Sequence, residues 1–375
     1  ILLDKGADVN AQCGYYDNAL QAASLQGHEN IVQMLLDKGA AVNAQGGEYG
    51  NALQAASSKG HENIVQMLLD KGAAVNAQGG YYRNALYVAS SKGHDNIVQM
   101  LLDKGADVNA QSGQYRNALQ VASLQGHDNI VQMLLDKGAD VNARGDHYGN
   151  ALYAALSSGH DNIVQILLDK GADVNAKCGY YDNALQAASL QGRDNIVQIL
   201  LDKGADVNAQ DGYYGNALQV ASLEGHDNIV QMLLDKGADV NAQGGEYSNA
   251  LYAALSSGHD NIVQMLLDKG ADVNAQCGYY GNALQAASLQ GRDNIVQILL
   301  DKGADVNAQC GYYGNALQAA SSQGRDNIVQ ILLDKGADVN AQGGRYANAL
   351  HAASSEGHDN IVQILLDKGA DVNAQ

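Results

Sequence analysis

Ten histidines, four cysteines and 41 acidic residues give this 375-residue chain the raw material for metal binding or proton transfer. Zinc needs three or four such ligands converging on one point, and a serine or cysteine nucleophile needs a histidine within hydrogen-bond reach. Eight histidines, among them His28, His61 and His94, each follow a glycine, precede Asp or Glu, and keep a register of 33 residues. Side chains recurring at that period lie on successive layers and do not meet on one ion. Arg193, Arg292 and Arg325 take the same place with the rest of the unit unchanged, which points to a structural role. His147 and His351 are isolated. No Ser–His–Asp or Cys–His set is placed to converge, and pairs such as Gly79-Gly80 read as turns rather than a phosphate-binding loop. The expectation is a protein without metal or cofactor, and not an enzyme.

The elements that would position these residues are copies of one unit. Asn18, Asn51, Asn84, Asn117 and Asn150 stand 33 apart, and the series runs on to Asn348. Twelve leading residues are followed by eleven units of 33, without insertion or deletion. A fixed period of this size means stacked units, each burying its apolar face on its neighbours. The expected organisation is a partial unit at 1–12 and one continuous solenoid over 13–375.

Residues 79–111 show how one unit works. Asn84 precedes the apolar stretch Ala85-Leu86-Tyr87-Val88-Ala89 and is a good N-cap. Gly93 stops that short helix. Asp95 then sits in the first turn of a second helix, where the dipole favours an anion. Ile97, Val98, Leu101 and Leu102 form one apolar face, and Gly105 fits the C′ position. Each unit therefore predicts a short helix, a tight turn, a longer helix and an extended loop. The small alanines of the first helix allow close approach, and the longer second helix curves the stack, with first helices and loop tips on the concave side.

The run Gly126-His127-Asp128-Asn129-Ile130-Val131-Gln132-Met133-Leu134-Leu135-Asp136-Lys137-Gly138-Ala139-Asp140-Val141-Asn142-Ala143 resembles the ankyrin repeat, and the likeness extends over essentially the whole chain. The resemblance implies an all-α ankyrin-repeat solenoid whose function is protein–protein recognition. One departure is consistent. Asn183-Ala184-Leu185-Gln186 and its copies stand where the family has Thr-Pro-Leu-His, which puts the Thr–His hydrogen bonding of that motif in doubt. A Tyr such as Tyr181 stands where the loop commonly has Gly. The Asn-Ala-Leu-Gln-Ala-Ala-Ser variant is similar to arrays of fungal NACHT-type receptors, which implies the recognition region of a larger intracellular receptor in innate immunity.

The second helix hardly varies between units, whereas two other regions do. The loop tip reads Tyr15, Glu48, Tyr81, Gln114, His147, Tyr180, Tyr213, Glu246, Tyr279, Tyr312 and Arg345. Two residues on stand Asp17, Gly50, Arg83, Arg116, Gly149, Asp182, Gly215, Ser248, Gly281, Gly314 and Ala347. The end of the first helix varies through Gln26, Lys59, Lys92, Ser158, Glu224 and Glu356. The resemblance implies that ankyrin arrays touch partners through these places. The tip residues, with Asp17, Arg83, Arg116 and Asp182 beside them and Lys59, Lys92, Glu224 and Glu356 at the helix ends, are the candidate partner-binding set. The competing reading is drift at exposed positions. Other variation reads as packing: Tyr153 with Leu156, and Tyr252 with Leu255, fall at i, i+3 on one helix.

The net charge of −19 is mostly the arithmetic of a unit carrying about two net negative charges. It opposes broad binding to nucleic acid or anionic membrane, so neither is expected as a partner. Six of ten Lys/Arg outside the repeated lysine, Lys59, Arg83, Lys92, Arg116, Arg144 and Lys177, fall between residues 59 and 177. They make either an acidic-partner patch or scattered solubilising charge. Cys13, Cys178, Cys277 and Cys310 share one place in their units, too far apart for bridging if layers lie roughly 8–10 Å apart. Free thiols and the lack of Asn-x-Ser/Thr fit a reducing, cytoplasmic setting. Ile1 falls inside a second helix and Gln375 closes an ordinary unit, without polar caps. That leads to expecting either a longer parent protein or, as the alternative function, a structural spacer or head-to-tail filament.

Overall fold

Asparagine opens the first helix of the unit for a local reason. Asn51 is extended (φ −152°, ψ 175°), and its side-chain oxygen accepts from the Gln54 N–H, one of the donors that a helix start leaves free. The helix Ala52–Lys59 ends at Gly60, whose φ of 79° is left-handed, and His61 N–H returns to Ala56 O. The second helix, Glu62–Asp70, starts at once with its acid in the first turn. It ends at Gly72, with Gly72 N–H bonded to Leu69 O and Ala73 N–H to Leu68 O, a Schellman stop.

The computed structural model describes residues 8–12, 18–81, 84–111, 117–145, 149–177, 183–210, 213–277 and 281–373. Among these it holds 22 α-helices in pairs, from Ala19–Gln26 and Glu29–Asp37 to Ala349–Glu356 and Asp359–Asp367. The expected helix–turn–helix–loop unit is thus present. Regular strand among the described residues is confined to a two-residue antiparallel pairing, Gln276 with Asn282 and Cys277 with Gly281. Isolated bridges Gly46–Gly50 and Cys310–Gly314 pinch the loop in the same way.

The chain divides into two compact units, residues 1–184 and 185–375. Within each, first helices pack side by side in series, Ala19–Gln26 on Ala52–Lys59 on Ala85–Lys92 in one and Ala283–Gln290 on Ala316–Ser322 on Ala349–Glu356 in the other. Ala52, Ala55 and Ala56 are at most 2% exposed, so this approach is made through methyl groups. The second helices form an outer layer whose Ile64, Val65 and Leu68 are fully buried. Burying three such side chains contributes roughly 5–9 kcal/mol per repeat before chain entropy is set against it.

Repeats are also tied by polar ladders. Asn43 Oδ1 accepts from Ala74 N–H at 2.7 Å while its Nδ2 donates to Gly72 O at 3.2 Å, fixing the next loop at both points. On the outer surface Gln66 and Lys104 both reach Asp70, at 2.8 and 3.2 Å. The hydrogen bond from Gln66 first, then that from Lys104, holds this carboxyl below its usual range. Such exposed pairs contribute little singly.

The first helix admits more than one core solution. Gln54, Gln120 and Gln219 are buried, and Tyr153 and Tyr252 stand at the same place, 4% and 8% exposed. Tyr252 packs with Ala286 and Tyr247. Leu156 and Leu255 are fully buried three residues on, at the column where Ser24, Ser57, Ser90, Ser123, Ser189, Ser222, Ser288 and Ser321 bury hydroxyls without a hydrogen-bond partner.

Candidate functional site

Consecutive loop tips are held together through the backbone. Tyr81 N–H donates to Glu48 O at 2.8 Å, Glu246 N–H to Tyr213 O at 3.0 Å, and Arg345 N–H to Tyr312 O at 3.1 Å. Each bond spans 33 residues, so it brings the same place of neighbouring repeats side by side. Glu48, Tyr81, Tyr213, Glu246 and Arg345 are exposed there, and Tyr312 is half-buried. Tyr81 at 74% and Tyr213 at 58% are large aromatic surfaces left in water. Lys59, Lys92, Glu224 and Glu356 are exposed at the ends of their first helices. Tyr15, Asp17, Arg83, Gln114, Arg116, His147, Tyr180, Asp182 and Tyr279 lie outside the described residues.

In the last repeat the two variable regions meet. Tyr346, beside the tip residue Arg345, donates its hydroxyl to Glu356 Oε1 at 2.7 Å, from the loop to the end of the first helix. That bond raises the Tyr346 pKa, because the carboxylate favours the protonated phenol. Around it the side chains are ordered by ring contacts. Tyr312 and Tyr313 meet edge to face at 5.2 Å, and Tyr313 stacks on Tyr346 at 6.5 Å. The Arg345 guanidinium lies 5.5 Å from the Tyr312 ring and 5.4 Å from the Tyr346 ring. At another described tyrosine tip, Tyr213 packs edge-on against Tyr214 at 5.2 Å. Its hydroxyl hydrogen-bonds Glu246, which pushes its pKa up to about 12. Tyr346 was not among the candidates; the recurrent second tyrosine of the loop was the signal for it.

The position two residues past the tip behaves differently. Gly50, Gly149, Gly215, Gly281 and Gly314 are buried there at φ between 67° and 90°. Ser248 and Ala347 adopt the same left-handed conformation at 64° and 66°. Among the described residues this column is set by backbone geometry, and it stays glycine-rich for that reason.

Glutamine in the first helix does work that the sequence did not disclose. Gln219 Oε1 accepts from Asn216 N–H at 2.9 Å, completing a capping box. Its Nε2 faces Gly244 O and Ser248 O, both at 3.1 Å, in the next repeat. Gln285 likewise reaches Cys310 O and Gly314 O at 2.8 Å. The residue that departs from the Thr-Pro-Leu-His pattern therefore holds the following loop, and with it the tip.

The histidine column is structural in geometry. His61 Nε2 lies 3.1 Å from Leu25 O of the preceding repeat, and His259 does the same to Leu223 O at 3.0 Å. A Cβ on Gly27 would come within 2.7 Å of the His61 ring, so that turn needs glycine for space as well as for φ. Arginine in this column is not a silent exchange: Arg292 Nη1 forms an ion pair with Asp260 Oδ1 at 2.7 Å.

Among the basic residues singled out, Arg144 and Lys177 line one cleft with Asn142, Gly149, Asn150 and Asp173. Cys310 is a free, half-buried thiol whose pKa burial pushes up, with Asp305 adding to the shift. Cys13 and Cys178 lie outside the described residues. Among the described residues no group of three or more His, Cys, Asp or Glu is placed to hold a metal, and no helix is long and apolar enough to cross a membrane.

No curated protein matches the chain. A family model described as ankyrin repeats (3 copies) matches residues 1–79, 48–112, 86–178, 143–211, 177–244, 218–310 and 284–375, which together span the whole sequence. With that match, the repeated helix pair and the loop ladder in agreement, the chain belongs to the ankyrin-repeat family.

Proposed function

We propose that this array is a recognition scaffold in which a protein partner docks on the face made by loop tips and first-helix ends. In this reading it is the recognition region of a larger cytoplasmic receptor, with no catalytic step of its own. Ankyrin repeats are generally protein–protein interaction modules, which supports the class. The observation that carries the assignment of the face is the Tyr346–Glu356 hydrogen bond, which joins the two most variable regions on one surface in the last repeat. Tyrosine and arginine, the types exposed there, are the residues most often decisive at interfaces.

The test is a paired capture from extract of the source cells. Lys59→Glu and Lys92→Glu are combined with Tyr81→Ala, all exposed positions. Helicity and melting should match the parent, while specific capture falls. An unchanged captured set with an intact fold would remove this face from the reading. Loss of fold would show that these side chains are structural.

A further inference from the structure

We propose that Arg345, held between Tyr312 and Tyr346, reads the carboxylate of an Asp or Glu in an acidic segment of the protein partner; this rests on the recognition reading above. The guanidinium is fixed before any partner arrives. Its backbone is tied to Tyr312 O at 3.1 Å, and its plane is flanked by two rings at 5.4 and 5.5 Å. Tyr313 closes the wall by stacking on Tyr346 and meeting Tyr312 edge-on. Fixing a long side chain in advance removes much of the ordering cost that weakens contacts made by mobile arginines. Arginine carries five N–H donors in a planar fork. Tyr312 accepts one of them, and Arg345 remains exposed, so the fork is presented for bidentate pairing with a carboxylate.

Local charge favours a carboxylate over a phosphate. Glu356 accepts from Tyr346 at 2.7 Å and leaves a negative charge beside the arginine. Glu356 offsets Arg345, so a second negative charge on the ligand gains little net attraction here, while the body's excess negative charge repels a phosphate dianion twice as strongly as a carboxylate. The chain's net charge of −19 opposes an acidic partner at long range. Selection must therefore come from contact at this point rather than from steering. Tyr213 and Glu246 supply the contrast within the same unit: the backbone bond is the same, but the charged tip residue is an acid and is occupied by the tyrosine hydroxyl.

The experiment selects short random peptides against the full chain by display and measures the winners by calorimetry. The expected winners carry an Asp or Glu. Changing that acid to its amide, or Arg345→Ala, should each weaken binding about tenfold, with the double change no worse than either alone. Arg345→Lys should be nearly as damaging, because the charge remains while the planar fork is lost. Glu356→Gln should tighten binding about threefold by removing the opposing charge. Winners insensitive to Arg345→Ala but lost on Lys59→Glu with Lys92→Glu would overturn this inference and leave the recognition reading standing. Failure to select any binder would overturn both. Inorganic phosphate competing as well as free glutamate would overturn the choice of a carboxylate.

Discussion

Replacing Gln219 by leucine should loosen one repeat interface while leaving the helices in place. The side chain is 3% exposed and makes a hydrogen bond at each end. Its oxygen accepts from Asn216 N–H at 2.9 Å, and its nitrogen faces Gly244 O and Ser248 O at 3.1 Å and Ala242 O at 3.3 Å. An amide has two N–H donors, so three bonds can be fully made at one time. At about 1 kcal/mol each the net loss is about 3 kcal/mol, and buried groups left without a partner raise it toward about 5. Leucine keeps the volume, so little cavity term is added. The control is Gln231→Leu, which breaks a 2.8 Å bond to Asp235 at the surface and should cost under about 0.5 kcal/mol. Peptide-resolved hydrogen exchange is the suitable assay, because long repeat arrays open locally and a single global midpoint is poorly defined. About 3 kcal/mol corresponds to roughly a hundredfold faster exchange, expected in the loop and first helix across 242–257. Less than about a threefold change there would refute the idea that this amide holds the next loop.

Other outcomes follow from single observations. Ala347→Gly should raise stability by about 1 kcal/mol, since alanine is held at φ 66° where glycine is unstrained; a lower melting temperature would contradict this. Ser57→Ala should be neutral or stabilising by up to about 1 kcal/mol, because its buried hydroxyl has no partner; urea unfolding that shows a clear loss would reveal a missed hydrogen bond. Acid should weaken the array through the outer ladder. Asp37 and Asp70, lowered first by hydrogen bonds from Gln33 and Gln66 and then by those from Lys71 and Lys104, sit below the usual carboxylate range. A depressed folded pKa means the unfolded chain binds more protons, so this stability is complete above the unfolded value and drains away as pH falls through the folded one. Melting temperature should stay level from about pH 7 to 5 and drop between about pH 4 and 2. A flat profile across the lower window would show that the ladder contributes nothing.

Much of the unit was legible because its causes are local. Asn84 as cap, Gly93 as stop, Asp95 in the first turn and Gly105 past the end all act within a few residues, and the structure has each in that role. The tip was legible as a place of variation but not as an arrangement. Nothing in the spacing distinguished Tyr312, which flanks an arginine, from Tyr213, which donates to a glutamate. The column two residues past the tip looked variable like its neighbour, yet its described members answer to a left-handed backbone.

By itself the sequence determined the period, the helix pair, its caps and the apolar face, because each depends on bonds of three to five residues or on one repeated pattern. Tertiary structure alone decided what Gln219, His61 and Arg345 do. Their partners lie 25 and 29, 36, and 33 residues away respectively. Those separations become contacts through the register in which one repeat settles on the next, and that register is set by the packing of helices rather than by any residue's own preference.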